Sequence, residues 1–366
     1  MKINRIALNG FRNYDFETAD FSPGTNVIYG ENAQGKTNLL EAVYMLAMGR
    51  SFRTRFDREL IGFGCDSAEI LADVVSHERE QTVRILLRNG VRKQITVNAV
   101  KKTASELGET LNVVLFCPDD LNLIKEGAAA RRRLMDNAIC QIRPRYAEYL
   151  SQFNKFYESK TRILKDWREK PSLLDTLDEF SDGMCRTSAQ LIRYRASFAA
   201  RLADEAAPIH GEFSGAGEKL GIEYSTVSAV KDPTASAKEI FYDLCDHMES
   251  HRKAELDSGQ CLSGAHKDDL IISINGKNAR SFASQGQTRT AALSIKLAER
   301  EIYLDEKGEY PILLLDDVLS ELDTKRQEFV LNRIGGGQTL ITCCEDEGIS
   351  RRTGGKVLHV KNGRIG

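Results

Sequence analysis

Gly30-Glu31-Asn32-Ala33-Gln34-Gly35-Lys36-Thr37 is the stretch on which the fold turns. It matches GxxxxGK[ST] at every fixed position, and its surroundings match as well. Asn26-Val27-Ile28-Tyr29 is a short apolar run that stops at Gly30, as a buried strand does. Leu39, Leu40, Val43, Leu46 and Ala47 then follow at helical spacing. In this setting glycines let backbone N–H groups turn inward around phosphates, and the helix N-terminus adds its dipole. Lys36 reaches the β- and γ-phosphates and Thr37 holds Mg²⁺. Gly30, Glu31, Asn32, Ala33, Gln34, Gly35, Lys36, Thr37 and Asn38 are therefore the expected nucleotide-binding set.

The complementary piece lies far along the chain. Ile312-Leu313-Leu314-Leu315-Asp316-Asp317 is an apolar run ending in two carboxylates, the profile of a central parallel strand. Asp316 is expected to share Mg²⁺ with Thr37, and Asp317 to orient or deprotonate the attacking water, so Asp317 and Lys36 are the catalytic expectations. Ser320-Glu321-Leu322-Asp323 follows at the spacing of a D-loop, an interface element whose candidates are Ser320 and Asp323. Ser284-Gln285-Gly286-Gln287 opens a helix marked by Ala291, Ala292, Ile295, Ala298 and Ile302. Alone, that loop reads as an N-cap. Between two phosphate motifs it reads as the signature loop of an ABC-type ATPase, which touches the γ-phosphate of ATP held by a second subunit.

Spacing narrows the class. Lys36 and Asp316 stand 280 residues apart, too far for a compact kinase or GTPase and requiring an inserted lobe. Strand-like runs occupy residues 1–30, 68–98 and 112–117, whereas 119–256 is rich in Arg, Lys, Glu, Leu and Ala at helical spacing. Strands return at 270–274, 312–315, 338–343 and 356–360. The expected fold is α/β: an ABC-type P-loop ATPase head with an antiparallel β subdomain and an inserted, mainly helical lobe. Its expected division is 1–118, with Walker A and the β subdomain; 119–256, the helical lobe; and 257–366, with signature, Walker B and D-loop. The lobe is too short for the coiled coil and hinge of SMC proteins.

Composition excludes other classes. The chain has 366 residues, 51 Lys+Arg against 53 Asp+Glu, a net charge of −2 and 41% hydrophobic residues, which argues against disorder and against indiscriminate coating of nucleic acid. Cations concentrate locally: residues 131–201 hold 15 Lys+Arg and 9 Asp+Glu, or +6. Arg131, Arg132 and Arg133 at a helix start, with Arg50 and Arg53 near the nucleotide loop, are the candidate DNA contacts; Arg12 is a phosphate or DNA candidate. A solvated surface would carry similar charges. The eight cysteines contain no CxxC pair, so no metal site is expected among them. Neither a signal peptide nor a membrane-length apolar run is present, and the expectation is a soluble cytoplasmic protein.

The chain resembles the RecF family of bacterial SMC-like ABC ATPases over essentially its whole length. The resemblance rests on LNGFRNY near the start, GENAQGKTNLLEAVYMLAMGRSFRT, FCPDDLNLIKEGAAARRRLMD, GAHKDDL, SQGQTRTAALSIKLAE and ILLLDDVLSELD. It implies an ATP-dependent homodimer that binds DNA, with preference for gapped or double-stranded/single-stranded junction substrates and with single strands also bound. It further implies cooperation with RecO and RecR in loading the recombinase, and a weak, DNA-stimulated ATPase. Lys36, Thr37 and Asp316 map onto the family's ATP site, Asp317 onto its catalytic acid, and Ser284, Gly286 and Gln287 onto the loop acting across the dimer. Two departures stand out. Thr342-Cys343-Cys344-Glu345 occupies the place of the ABC switch histidine, and Asp119-Asp120 stands where a Q-loop glutamine would fall.

Two rival classes are a nucleotide-switched scaffold with negligible turnover and the nucleotide-binding subunit of a transporter. A small-molecule P-loop kinase would not need the SQGQ loop. His266-Lys267-Asp268-Asp269, before a strand, reads equally as structural or as part of a site.

Overall fold

β1 (Lys2–Phe11) and β2 (Tyr14–Asp20) form a hairpin whose two-residue turn places Arg12 at φ 55°. β3 (Thr25–Tyr29) runs into the glycine loop and then α1 (Lys36–Met48). α1 is apolar almost all round, with Leu39, Leu40, Val43, Met45 and Leu46 fully buried. Such a helix belongs inside a core rather than on a surface. β4 (Ser67–Ser76), β5 (Arg79–Arg88), β6 (Val91–Val97) and β7 (Val100–Lys102) extend the first hairpin into an antiparallel sheet of order β2-β1-β4-β5-β6-β7. β8 (Val113–Phe116) starts the other side.

The chain then turns helical through α2 (Ala128–Ile142), α3 (Pro144–Asp166) and α4 (Leu177–Phe213). β9 (Leu220–Ser225) and α5 (Ala237–Ser258) follow, then β10 (Asp269–Ile274), β11 (Lys277–Asn278) and α6 (Ala279–Phe282). Asn275 and Gly276 take φ 52° and 74°, the left-handed pair that a two-residue hairpin turn requires. α7 (Gln285–Lys307) leads back to β12 (Ile312–Asp316), α8 (Thr324–Arg333), β13 (Thr339–Cys343), α9 (Ile349–Thr353), β14 (Lys356–Lys361) and β15 (Arg364–Ile365). The computed structural model describes residues 1–344 and 348–366.

Two compact units result, Met1–Asn122 with Ala292–Gly366, and Leu123–Ala291. In the first, β12 and β13 are buried along their whole length at the centre of a sheet of order β15-β14-β3-β13-β12-β8. Its parallel strands read as near-continuous apolar runs because both faces are covered. α1 packs against β4 and β5 of one sheet and β8, β12 and β13 of the other, and the core lies around it. Gln338, nearly fully buried, stitches the two sheets, donating to the Ile3 and Ser22 carbonyls at 2.8 Å and accepting from Ile3 N at 2.7 Å.

The units divide the chain elsewhere than the expected boundaries at 118/119 and 256/257. Residues 257–291 fall in the second unit because β10 pairs along its length with β9 in an antiparallel sheet. The helical segment thus contains a strand, Leu220–Ser225, whose half-buried residues show no clear period. Among the described residues no helix is long and apolar enough to cross a membrane.

Candidate functional site

The glycine loop is shaped by its neighbours. Gly30 has φ 154°, and a Cβ there would lie 2.2 Å from the Val360 carbonyl oxygen of β14. Gly35 has φ 123°, with the Asn13 amide 2.9 Å and the Tyr14 hydroxyl 3.0 Å from where a Cβ would stand. Tyr14 donates its hydroxyl to the Gly35 carbonyl at 2.9 Å, and Asn13 Nδ2 donates to the Gln34 carbonyl at 2.8 Å. Gly363 N donates to that same Gln34 carbonyl at 3.0 Å, while Asn362 N donates to Gln34 Oε1 at 2.6 Å. Ala33 is held at φ 64°.

Inside the loop, Lys36 is 4% exposed, and its ammonium donates to the carbonyls of Gly30 at 2.6 Å and Glu31 at 3.0 Å. Thr37 Oγ1 donates to Asp316 Oδ1 at 3.0 Å, joining the start of α1 to the end of β12 across 279 residues. Strand register places Thr342 opposite Asp316. Its hydroxyl donates to Asp316 Oδ1 at 2.9 Å and accepts from Asp317 N at 2.9 Å. Burial pushes the Asp316 carboxyl above its ordinary pKa, against the hydrogen bonds from Thr342 and Thr37.

Asp317 follows at φ 51°, a left-handed conformation that an aspartate adopts at a cost. Its Oδ1 is shielded from solvent and has no hydrogen-bond partner. Ser320 donates to the Asp317 carbonyl at 2.6 Å, and Asp323 caps α8 by accepting from Arg326 N at 3.0 Å. The donor set fits a hard cation: one hydroxyl and one carboxylate oxygen in contact, and an unpartnered carboxylate oxygen on the next residue. Among the described residues no group of three or more His, Cys, Asp or Glu forms an all-protein metal cage.

Behind the loop sits Glu41, fully buried on α1. Arg12 donates to both its carboxylate oxygens at 2.8 Å and to the Glu59 carbonyl at 2.8 Å, while Arg53 lies 3.8 Å from Glu41 and donates to Asn38 Oδ1 at 2.8 Å. Arg12 therefore ties the β1–β2 turn to α1 and to Glu59, its donors committed there rather than offered to phosphate or DNA. Asn38 donates to Asn13 Oδ1 at 2.8 Å. Arg50 is exposed beyond the end of α1. Asn13, Tyr14, Glu41 and Thr342 escape motif reading because their roles arise from pairings distant in sequence. The available hint was the density of polar residues in LNGFRNY beside an apolar strand.

The signature-loop residues lie in the second unit at the start of α7. Ser284 N donates to Gln287 Oε1 at 2.8 Å and Gln287 N to Ser284 Oγ at 3.2 Å, a reciprocal cap. Ser284 and Gln285 are exposed, Gly286 and Gln287 half-buried, and Gln287 Nε2 donates to Glu218 at 2.7 Å.

Of the three arginines at the start of α2, Arg131 is turned inward. It is 4% exposed, grips both Asp269 oxygens at 2.6 and 2.9 Å, and donates to the carbonyls of Leu123, Ile124 and Glu126. A guanidinium so engaged is a structural anchor, which corrects the expectation of a DNA contact there. Arg132 is half-buried and donates to the Asp268 carbonyl at 2.7 Å; Arg133 is exposed. The His266–Asp269 segment proves structural too. Asp268, fully buried, accepts from Arg195 at 2.7 Å and from the Tyr224 and Thr226 hydroxyls at 2.5 and 2.6 Å. His266 packs against Tyr157, ring centroids 4.7 Å apart, and burial lowers its pKa to about 4.

At the position of the absent switch histidine, Cys344 is exposed, its thiol 3.1 Å from Asn32 Oδ1. Glu345 lies outside the described residues. At the position of a Q-loop glutamine, Asp120 accepts from Cys117 N at 2.9 Å, while Asp119 is exposed.

A glycine loop between strand and helix, a strand-end aspartate on its threonine, the SQGQ stretch opening α7 and an inserted unit define an SMC-like ABC-type P-loop ATPase fold. The family model described as RecF/RecN/SMC N terminal domain matches residues 2–362. The DNA replication and repair protein RecF of Acetivibrio thermocellus is 40% identical over 363 residues, 99% of this chain and 98% of its own. That of Listeria innocua is 42% identical over 362 residues, 96% of this chain and 95% of its own. The chain belongs to the RecF family. A solved structure of the recombination mediator protein RecF with ATP in the RecFOR pathway is 34% identical at a TM-score of 0.90, covering 100% of this chain and 96% of that one. An Smc head domain from Pyrococcus furiosus, at 17% identity, 99% and 94% coverage and a TM-score of 0.57, shares the fold.

Proposed function

We propose that this chain binds ATP and Mg²⁺ between two copies of itself and that the closed pair holds DNA during recombinational repair and replication restart in the cytoplasm. The observation that carries the reading is the Thr37–Asp316 hydrogen bond at 3.0 Å, two hard oxygens meeting at the mouth of a glycine loop. On nucleotide binding, Lys36 exchanges its bonds to the Gly30 and Glu31 carbonyls for phosphate oxygens. Thr37 and Asp316 would hold Mg²⁺, which when bound offsets phosphate charge. Backbone N–H groups from Glu31 to Asn38 receive the remaining oxygens.

Asp317, with one shielded and unpartnered oxygen, is the group that orients the attacking water or takes its proton. Phosphoryl transfer asks mostly for positioning and charge stabilisation, and this arrangement supports both. Ser284, Gln285, Gly286 and Gln287 act on the ATP held by the other copy, with Ser320 and Asp323 at the same interface. DNA, as gapped or junction duplex and as single strands, meets Arg50, Arg53 and Arg133. Partnership with RecR and RecO rests on the RecFOR pathway in which the ATP-bound relative works.

A second reading, a nucleotide-switched scaffold with negligible turnover, is favoured by Thr342-Cys343-Cys344 standing where the switch histidine is expected. One experiment separates them. Light scattering and binding to gapped, single-stranded and duplex DNA are measured with ATP, ADP and no nucleotide, alongside single-turnover hydrolysis. The ATPase reading expects an ATP-dependent dimer, slow hydrolysis accelerated by DNA, and loss of the dimer but not of ATP binding in Ser284→Arg. An ATP-dependent dimer without hydrolysis favours the scaffold. A dimer unchanged in Ser284→Arg removes the loop's role across the interface.

A further inference from the structure

Gln287 closes the signature loop, and its side-chain amide is pinned at both ends by residues of its own unit. Its Oε1 accepts from Ser284 N at 2.8 Å, and its Nε2 donates to Glu218 Oε1 at 2.7 Å. A backbone N–H only donates and a carboxylate only accepts, so the two partners together fix which way the amide is turned. Gln287 N in turn donates to Ser284 Oγ at 3.2 Å. The Ser284 hydroxyl keeps its own hydrogen unclaimed among the described residues, on an exposed residue where α7 begins.

Glu218 belongs to no motif. It stands half-buried on the short loop between α4 and β9, and that loop is itself fixed. Lys219 N donates to Asn275 Oδ1 at 2.8 Å, and Asn275 N donates to the Lys219 carbonyl at 2.9 Å, at the tight turn between β10 and β11. The second Glu218 oxygen lies 3.3 Å from Nε2 of His210, which is fully buried in the last turn of α4. A bond to an ionised acceptor held in place is about twice as strong as one between neutral groups. The other flank of the signature loop is held separately. Lys125 donates to the Arg280 carbonyl at 3.0 Å and to the Ala283 carbonyl, next to Ser284, at 2.9 Å. Glu218 thus acts on the side of the loop that carries Gln287.

We propose that Glu218, 69 residues before Gln287, is a positioning residue for the signature loop. By turning the Gln287 amide it makes Oε1 hold Ser284 N, and so sets where the Ser284 hydroxyl points when the loop meets ATP on the other copy. The proposal rests on the reading that Ser284–Gln287 act across the dimer. Glu218 works through Gln287 and not on the nucleotide. Without this acceptor the amide rotates, the reciprocal cap loosens and the hydroxyl samples directions that miss the phosphate. A misplacement of about 1 Å in such a group can cost about a hundredfold in rate.

The test follows ATP-driven dimerisation of the full chain by light scattering and single-turnover hydrolysis, beside ATP affinity of the dilute monomer by fluorescent-nucleotide titration. Glu218→Leu should weaken dimerisation and slow hydrolysis by about tenfold, with monomer affinity unchanged. Glu218→Gln keeps an acceptor and should recover most of that loss. Gln287→Leu should match Glu218→Leu, and the double variant should be little worse than either alone, because both break one link. Thermal melts identify a variant that fails to fold, and Glu218→Ala then stands in for Glu218→Leu. Equal losses in Glu218→Leu and Glu218→Gln, additive losses in the double variant, or a dimer unchanged in Glu218→Leu overturns the proposal. Ser284→Arg keeps the two failures apart. A dimer lost in Ser284→Arg but intact in Glu218→Leu removes the role of Glu218 alone, whereas a dimer intact in Ser284→Arg removes the reading beneath it.

Discussion

Tyr14 and Gly35 are joined by a hydrogen bond from the phenol to the last carbonyl of the phosphate loop, 2.9 Å long and buried. The loop's shape is thus held partly by a residue outside the loop itself. Tyr14→Phe keeps the ring and removes the bond, so the fold should survive with a loss of about 1 kcal/mol. ATP affinity should fall several-fold, as fluorescent-nucleotide titration would detect. Unchanged affinity would show the loop to be held without this bond.

Glu41 is the stronger brace. Its buried carboxylate receives two bonds from Arg12 at 2.8 Å. Glu41→Gln leaves a guanidinium without its counter-charge and should cost about 3 kcal/mol in denaturant unfolding. Replacing Arg12 and Glu41 together should cost less than the sum of the single changes.

Asp317 is expected to matter for turnover more than for binding. Asp317→Asn preserves size and should retain ATP while lowering single-turnover hydrolysis about a hundredfold or more. The long-lived ATP-bound pair would then accumulate in light scattering. Undiminished turnover would exclude the role assigned to this carboxylate.

In the second unit, Asp268 gathers Arg195, Tyr224 and Thr226 around one buried carboxylate. Asp268→Asn removes the charge facing Arg195 and should destabilise by about 3 kcal/mol or more. ATP binding at a site in the other unit should be affected far less than the melt.

His266 sets a pH dependence. Burial lowers its pKa to about 4, against 6.5 for an exposed ring. Below about pH 6.5 the unfolded chain takes up a proton that the folded one refuses. Stability is therefore full above that value and declines as pH falls towards 4. His266→Gln should lose less stability between pH 7 and 5 than the parent chain, in urea unfolding at each pH.

Motifs were legible where chemistry depends on residues adjacent in sequence. The glycine loop, the strand ending at Asp316 and the SQGQ helix start could all be read directly. Arg131 could not, because a basic helix start looks alike whether it faces solvent or Asp269, and the choice depends on a strand 138 residues away. Glu41 was hidden for a similar reason, as one acid in an apolar helix whose partner Arg12 sits on a distant turn. Leu220–Ser225 sits in a stretch that reads as helical, because a short, half-buried strand has too little period to outweigh its surroundings.

The turn at Asn362-Gly363 and the Val360 carbonyl close around Gln34 and Gly30, more than three hundred residues earlier in the chain. During synthesis, the glycine loop leaves the ribosome long before the segments that shape it, and Asp316 and Thr342 also arrive late. The nascent protein carries the whole nucleotide motif yet lacks the contacts that shape it until the residues of β14 and the turn after it emerge. The grip on nucleotide is in this sense a property of a chain grown past Gly363, and a chain stalled short of Val360 would expose the motif without it.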